Sequence, residues 1–189
     1  MANDIRLRLR DATHVEHQRL EDRLDIFSRI ATATARRDLA SRFFRFHAGA
    51  EAGLAPHLAD IEGLDFAARR RTPRLLADLA ALGAAVPDDI APVACESRGA
   101  ALGFFYVLEG STLGGRVIRR RMEERGEGMV GLSFLDPYGE RGGERWRAFL
   151  EVLEREAQTP GFERDAVAGA LAGFSQAERT LCAPEGLLS

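Results

Sequence analysis

Residues 103–118 read GFFYVLEGSTLGGRVI, and this stretch decides the fold. Its apolar residues recur at helical spacing. The chain around it carries no run of alternating β-branched residues and no Asn-Gly or Asp-Gly hairpin, so strands are not expected. Yet Gly110, Gly114 and Gly115 interrupt the helical pattern. Each glycine inside a helix costs about 1 kcal/mol relative to alanine. Such a cluster implies that the backbone bends there, or that something flat lies against it where a Cβ would collide. Close packing on another helix, or a plain kink, would leave the same pattern.

Helical periodicity continues on both sides, and the expected architecture is all-α. A first helix is expected from about Asp4 to Phe27, with Leu9, Thr13, Leu20, Leu24 and Phe27 on one stripe. A second starts near Ala35 and runs to about Ile61, where Pro56 would kink it or split off its last turn. Thr72 before Pro73 reads as an N-cap for a short helix ending near Leu82. The segment from Gly83 to Pro92 is expected to be loop, and the glycine-bearing helix should span about Val93 to Arg125. Glu124 to Gly143 reads as the longest irregular connection. Helices from about Glu144 to Gln158 and from Pro160, capped by Thr159, to Leu181 complete the set. No internal repeat or linker is visible, so residues 1–189 are read as one domain.

The 189 residues, 46% of them hydrophobic and 29% charged, are enough for a sizeable core. A net charge of −3 offers no basic field for nucleic acid. All 26 basic residues are arginine, so any anion must be met by a guanidinium or a backbone amide. Cys95 and Cys182 match no metal spacing and suit a reducing, cytoplasmic setting. No apolar run is long enough to span a membrane, and the charged start MANDIRLRLR is not a signal segment.

The first helix carries paired histidines in LRDATHVEHQRLEDRLD, residues 9–25. At about 100° per residue, His17 sits beside Thr13, Leu20 and Leu24 and is expected to face the interior. His14 lies about 60° further round, toward Arg10 and Leu7. An interior neutral imidazole is a good axial ligand for haem iron, although a hydrogen-bonded core histidine would give the same pattern. His47 and His57 are expected on the surface or in loops. Phe104, Phe105 and Tyr106 are expected in the core, with some of them walling a ligand. No pair of Glu-x-x-His motifs supports a di-iron bundle.

Taken together, the two motifs resemble a known family. Leu9, Ala12, Thr13 and His17 are similar to the proximal helix of heme oxygenases, and Tyr106 to Ile118, YVLEGSTLGGRVI, resembles their glycine-rich distal helix. The likeness is greatest to bacterial, bacteriophytochrome-associated heme oxygenases, and it extends through the last two helices to about Leu181. The resemblance implies haem held between the first helix and a glycine-kinked distal helix. It implies cleavage of haem to biliverdin, CO and ferrous iron with O2 and an electron donor such as a ferredoxin or a flavin reductase. Haem is then both substrate and cofactor, and a bacteriophytochrome is a possible partner.

On that resemblance His17 is the proximal metal ligand, and Gly110 and Gly114 form the distal backbone. Arg10 and Tyr106 lie with the haem, Arg10 at a propionate. Arg145 or Arg147 is placed at the other propionate, Arg147 being carried as the candidate. The chain departs from many members at one position: Ser111 stands where they have an aspartate that organises water for proton delivery. A hydroxyl can hold a water but supplies no carboxylate. Glu109 points about 200° away from it on an ideal helix. The alternative reading is a haem-binding or haem-trafficking protein on the same scaffold.

Overall fold

The computed structural model describes residues 4–183. Its regular elements are α1 (Ile5–Leu24), α2 (Ile26–Ile30), α3 (Ala33–Leu58), α4 (Phe66–Arg69), α5 (Thr72–Ala81), α6 (Arg98–Glu124), α7 (Gly142–Glu156) and α8 (Phe162–Leu181), with 3-10 turns at Ser133–Leu135 and Gly139–Arg141. There is no strand among the described residues, and no described helix is long and apolar enough to cross a membrane.

Several ends differ from the periodicity. Asp25 adopts a left-handed conformation at φ 39°, which stops α1 at Leu24 and assigns Phe27 to α2. The α6 helix begins at Arg98, where the Ser97 hydroxyl accepts from the Ala100 amide. It does not begin at Val93, because the Val93 amide bonds to the Gly49 carbonyl of α3. Thr72 does not cap α5; it is the helix's first residue, and its hydroxyl donates to Glu51 at 2.6 Å. The start of α8 follows Gly161 at φ 80° rather than Pro160. Pro56 lies inside α3, which continues to Leu58.

The most extensive helix pairing joins α6 to α8. A Cβ on Gly103 would lie 1.9 Å from the Ala166 carbonyl oxygen, and one on Gly169 would lie 2.0 Å from that of Ala100. Only glycine lets these backbones approach so closely. The other main partner of α8 is α1, alongside it through exposed ion pairs of Arg8 with Glu163 and of Arg19 and Arg23 with Glu178. Thus α8 is a common floor for α1 and α6. Behind α6, α3 and α5 close the core around Phe43, Phe105, Phe134 and Phe149.

Candidate active site

By helical spacing, Gly99, Gly103, Gly110 and Gly114 fall on one face of α6. The first two are packed against α8. The second two are not: a Cβ on Gly110 would sit 3.8 Å from the Trp146 ring, and one on Gly114 would meet nothing within 4 Å. Leu113 and Val117 flank them, 42% and 53% exposed. One helix face therefore starts as a packing surface and becomes an uncovered apolar slot. The helix is unbroken through all three glycines. Gly115 differs from its neighbours, since a Cβ there would lie 1.7 Å from the Leu135 carbonyl oxygen; it seats the 133–135 turn.

His17 corrects an expectation. It does not face the interior; its side chain is 56% exposed. Its ring packs edge-on against Phe174 of α8, centroids 5.7 Å apart. The slot thus has α8 as floor at Phe174, with His17 beside it on α1. His14 is exposed and makes no ring contact or hydrogen bond among the described residues. The Nδ1 of His17 lies 3.7 Å from the Glu21 carboxylate, one turn further along. That contact lies on the Nδ1 side and leaves Nε2 without a protein partner among the described residues.

At the other end Tyr106 is half-buried against Trp146, ring centroids 5.6 Å apart. Burial raises its hydroxyl pKa, against the pull of Arg6 and Arg10. Arg10 is exposed and bonded to Asp11 at 3.1 Å. The resemblance named Arg10 and Tyr106 separately; the fold brings them within electrostatic reach of one another. Arg145 is turned away, bonded to Asp65 at 3.1 Å and stacked over Tyr138. Arg147 is exposed with its Nε on the Gly143 carbonyl, and among the described residues it makes no contact with Arg10 or Tyr106. Arg121 of α6 and Arg125 just beyond its end both stack on Phe27 of α2.

Behind the slot lies a buried polar cluster that the sequence reading missed. Glu109, turned away from Ser111 as its helical position requires, pairs with buried Arg69 and accepts from the Tyr138 hydroxyl at 2.7 Å. Burial and Glu109 raise the Tyr138 pKa. Glu51 accepts from the Arg71 and Thr72 amides and from Arg70. His47, expected at the surface, is 1% exposed, and its Nδ1 is 3.9 Å from Glu51 while its Nε2 has no partner. His57 is half-buried on α3, its Nε2 3.0 Å from the Cys95 carbonyl. The visible signals were Glu51 four residues after His47 and the run Arg69-Arg70-Arg71. Such a run is usually a solvated face.

No described group of three or more His, Cys, Asp or Glu could hold a metal ion by itself. The residues would instead suit a flat complex that needs bare helix backbone on one side and a histidine on the other. His17 stands exposed on α1 against Phe174 of α8, the open face of α6 lacks side chains at Gly110 and Gly114, and Arg10 is exposed on α1 with its charge felt at Tyr106. A polar hollow of about 510 Å³ at the end of α8, lined by Arg23, Arg29, Asp38 and Arg42, does not offer this, because its arginines are already paired.

The chain is 38% identical over 148 residues to the heme oxygenase of Xanthomonas campestris pv. campestris (strain 8004), covering 75% of this chain and 86% of that one. The chain belongs to the heme oxygenase family. No family model matches it. Its fold superposes with a TM-score of 0.71, over the full length of both chains, on the NO- and CO-bound heme oxygenase of Neisseria meningitidis, at 23% identity. For this heme oxygenase the open slot is the natural candidate site.

Proposed function

We propose that this heme oxygenase cleaves haem to biliverdin, CO and ferrous iron, using O2 and reducing equivalents, in the slot between α1 and α6. The observation that carries this is the change of role along one face of α6: glycines packed on α8 at Gly99 and Gly103, and glycines left open at Gly110 and Gly114, while the same α8 carries α1 with an exposed His17 against Phe174. Haem supplies the iron at which O2 is activated; that chemistry is the cofactor's own.

The residues have distinct tasks. His17 would hold the haem iron, with Glu21 near its Nδ1 at 3.7 Å. Gly110 and Gly114 admit the macrocycle and O2 against bare backbone. Arg10 and Tyr106 meet one propionate and fix the haem's rotation, since a carboxylate binds most strongly to a charged donor. Arg147 is retained for the other propionate, Arg145 being engaged elsewhere. Ser111 borders the open face and can hold a water there. Electrons come from a soluble donor of the ferredoxin or flavin-reductase kind, and biliverdin would suit a bacteriophytochrome. We assign the reaction to the cytoplasm, where the free thiols Cys95 and Cys182 persist.

The test is haem titration followed by single turnover with a reductase and catalase present. Wild type should form a histidine-ligated complex and then biliverdin. His17→Ala should lose the axial ligand, and His14→Ala should keep it. A haem complex that accepts electrons in air without forming biliverdin would favour the haem-trafficking alternative.

A further inference from the structure

The run Arg69-Arg70-Arg71 enters the core behind α6, and its three guanidiniums find different partners. Arg69 pairs with Glu109. Arg70 pairs with Glu51 at 3.1 Å. Arg71 is 3% exposed, and its side chain pairs with no carboxylate among the described residues. Its Nη1 donates to the Ser111 hydroxyl at 3.1 Å and its Nη2 to the Leu108 carbonyl at 2.5 Å. The Glu51 contact beside it is made by the Arg71 backbone amide. The Glu109 and Glu51 carboxylates act on it only at a distance, and a buried cation whose own hydrogen bonds all go to neutral oxygens is expensive; such groups concentrate at functional sites.

The Ser111 hydroxyl is committed in turn. It donates to the Leu108 carbonyl at 2.7 Å and accepts from Arg71. A hydroxyl has one hydrogen and two lone pairs, so Ser111 retains a single acceptor site. It can accept from a water on the open face of α6 and cannot donate to one.

We propose that Arg71 is an electrostatic positioning residue of the slot: a fixed positive charge that holds Ser111 as an acceptor and makes water beside Gly110 and Gly114 a better proton donor. The inference rests on the haem reading above and specifies what Ser111 does within it. The surrounding charges leave the sign intact. From α6, Glu109 is matched by Arg69; from α3, Glu51 is matched by Arg70. His47 on α3 is held neutral by burial and by Arg71 itself. Tyr138 stays protonated in its buried position beside Glu109. Arg74 on α5 adds positive charge, its Nη2 bonded to the Pro137 carbonyl. The surplus near Ser111 is a cation.

The measurement is the pH midpoint of the acid–alkaline spectral transition of the ferric haem complex of the full chain, which reads loss of a proton on this face. A nearby cation lowers that midpoint. Arg71→Gln should raise it by about one pH unit, and Arg71→Lys should return it toward wild type. Ser111→Asp should also raise it, by setting a carboxylate against the guanidinium without removing it. Circular dichroism of the haem-free variants checks folding; if Arg71→Gln does not fold, Ser111→Asp decides. Midpoints unmoved in variants that fold and bind haem overturn the proposal. Failure of wild type to bind haem through His17 overturns the reading beneath it, and this inference with it.

Discussion

Burial holds the His47 imidazole neutral, and the Arg71 cation adds to the effect. In the unfolded chain the same imidazole takes a proton near its ordinary pKa of about 6.5. Below that pH the unfolded state binds a proton that the folded state resists, so stability falls as the solution is acidified. The urea midpoint of the haem-free protein should therefore drop between neutral pH and pH 5, and His47→Gln should flatten that drop. An equally steep acid loss in the variant would remove His47 as its source. This residue was half legible. It was expected at the surface, yet it lies four residues after Phe43 on the buried face of α3, against Phe43 and Phe46. What hid it was its polarity, since buried histidines need partners that only the tertiary fold supplies. His17 shows the converse: the helical stripe placed it inside, yet it is exposed, because an open face of a helix looks like an interior in sequence.

Adjacent glycines on α6 have opposite roles, which gives a test with opposite signs. Gly114 faces open space, so Gly114→Ala should raise the stability of the haem-free protein by up to about 1 kcal/mol through helix propensity. It should also weaken haem binding. Gly115→Ala would press a Cβ into the Leu135 carbonyl and should destabilise by about 1–3 kcal/mol. Denaturant midpoints with and without haem check both, and a destabilised Gly114→Ala would mean that its face is not free. The cluster of glycines was legible as a demand for close approach; which glycine meets backbone and which is left open was not. Helix interiors were read correctly from period, whereas helix ends were set by remote contacts. Val93 to Ser97 has helix-compatible residues but lies against α3, with the Gly53 Cβ position only 2.0 Å from the Val93 carbonyl oxygen.

At the level of the whole molecule, α8 carries both walls of the slot while those walls do not pack extensively on each other. On α1 only Ile5, Leu9 and Thr13 are buried, all in its first half. The second half, from His17 to Leu24, rests on partial packing and on exposed pairs of Arg19 and Arg23 with Glu178. Exposed pairs of this kind contribute about 0–1 kcal/mol each. The open half of α6 likewise has solvent where its first half has α8. A ligand bound at His17 and lying on Gly110 and Gly114 would join two elements that the chain alone leaves loosely coupled. Binding to the folded state alone stabilises by about 2.7 kcal/mol when free ligand is a hundredfold above Kd. Haem should therefore raise the melting temperature, and amide exchange should slow most in residues 14–24 and 110–121. The buried segments of α3 and α5 should change little, because their exchange already requires global opening. In His17→Ala the protection of residues 14–24 should be lost first. If haem instead slows exchange evenly along the chain, or leaves α1 as open as before, then α1 is not the wall that holds it.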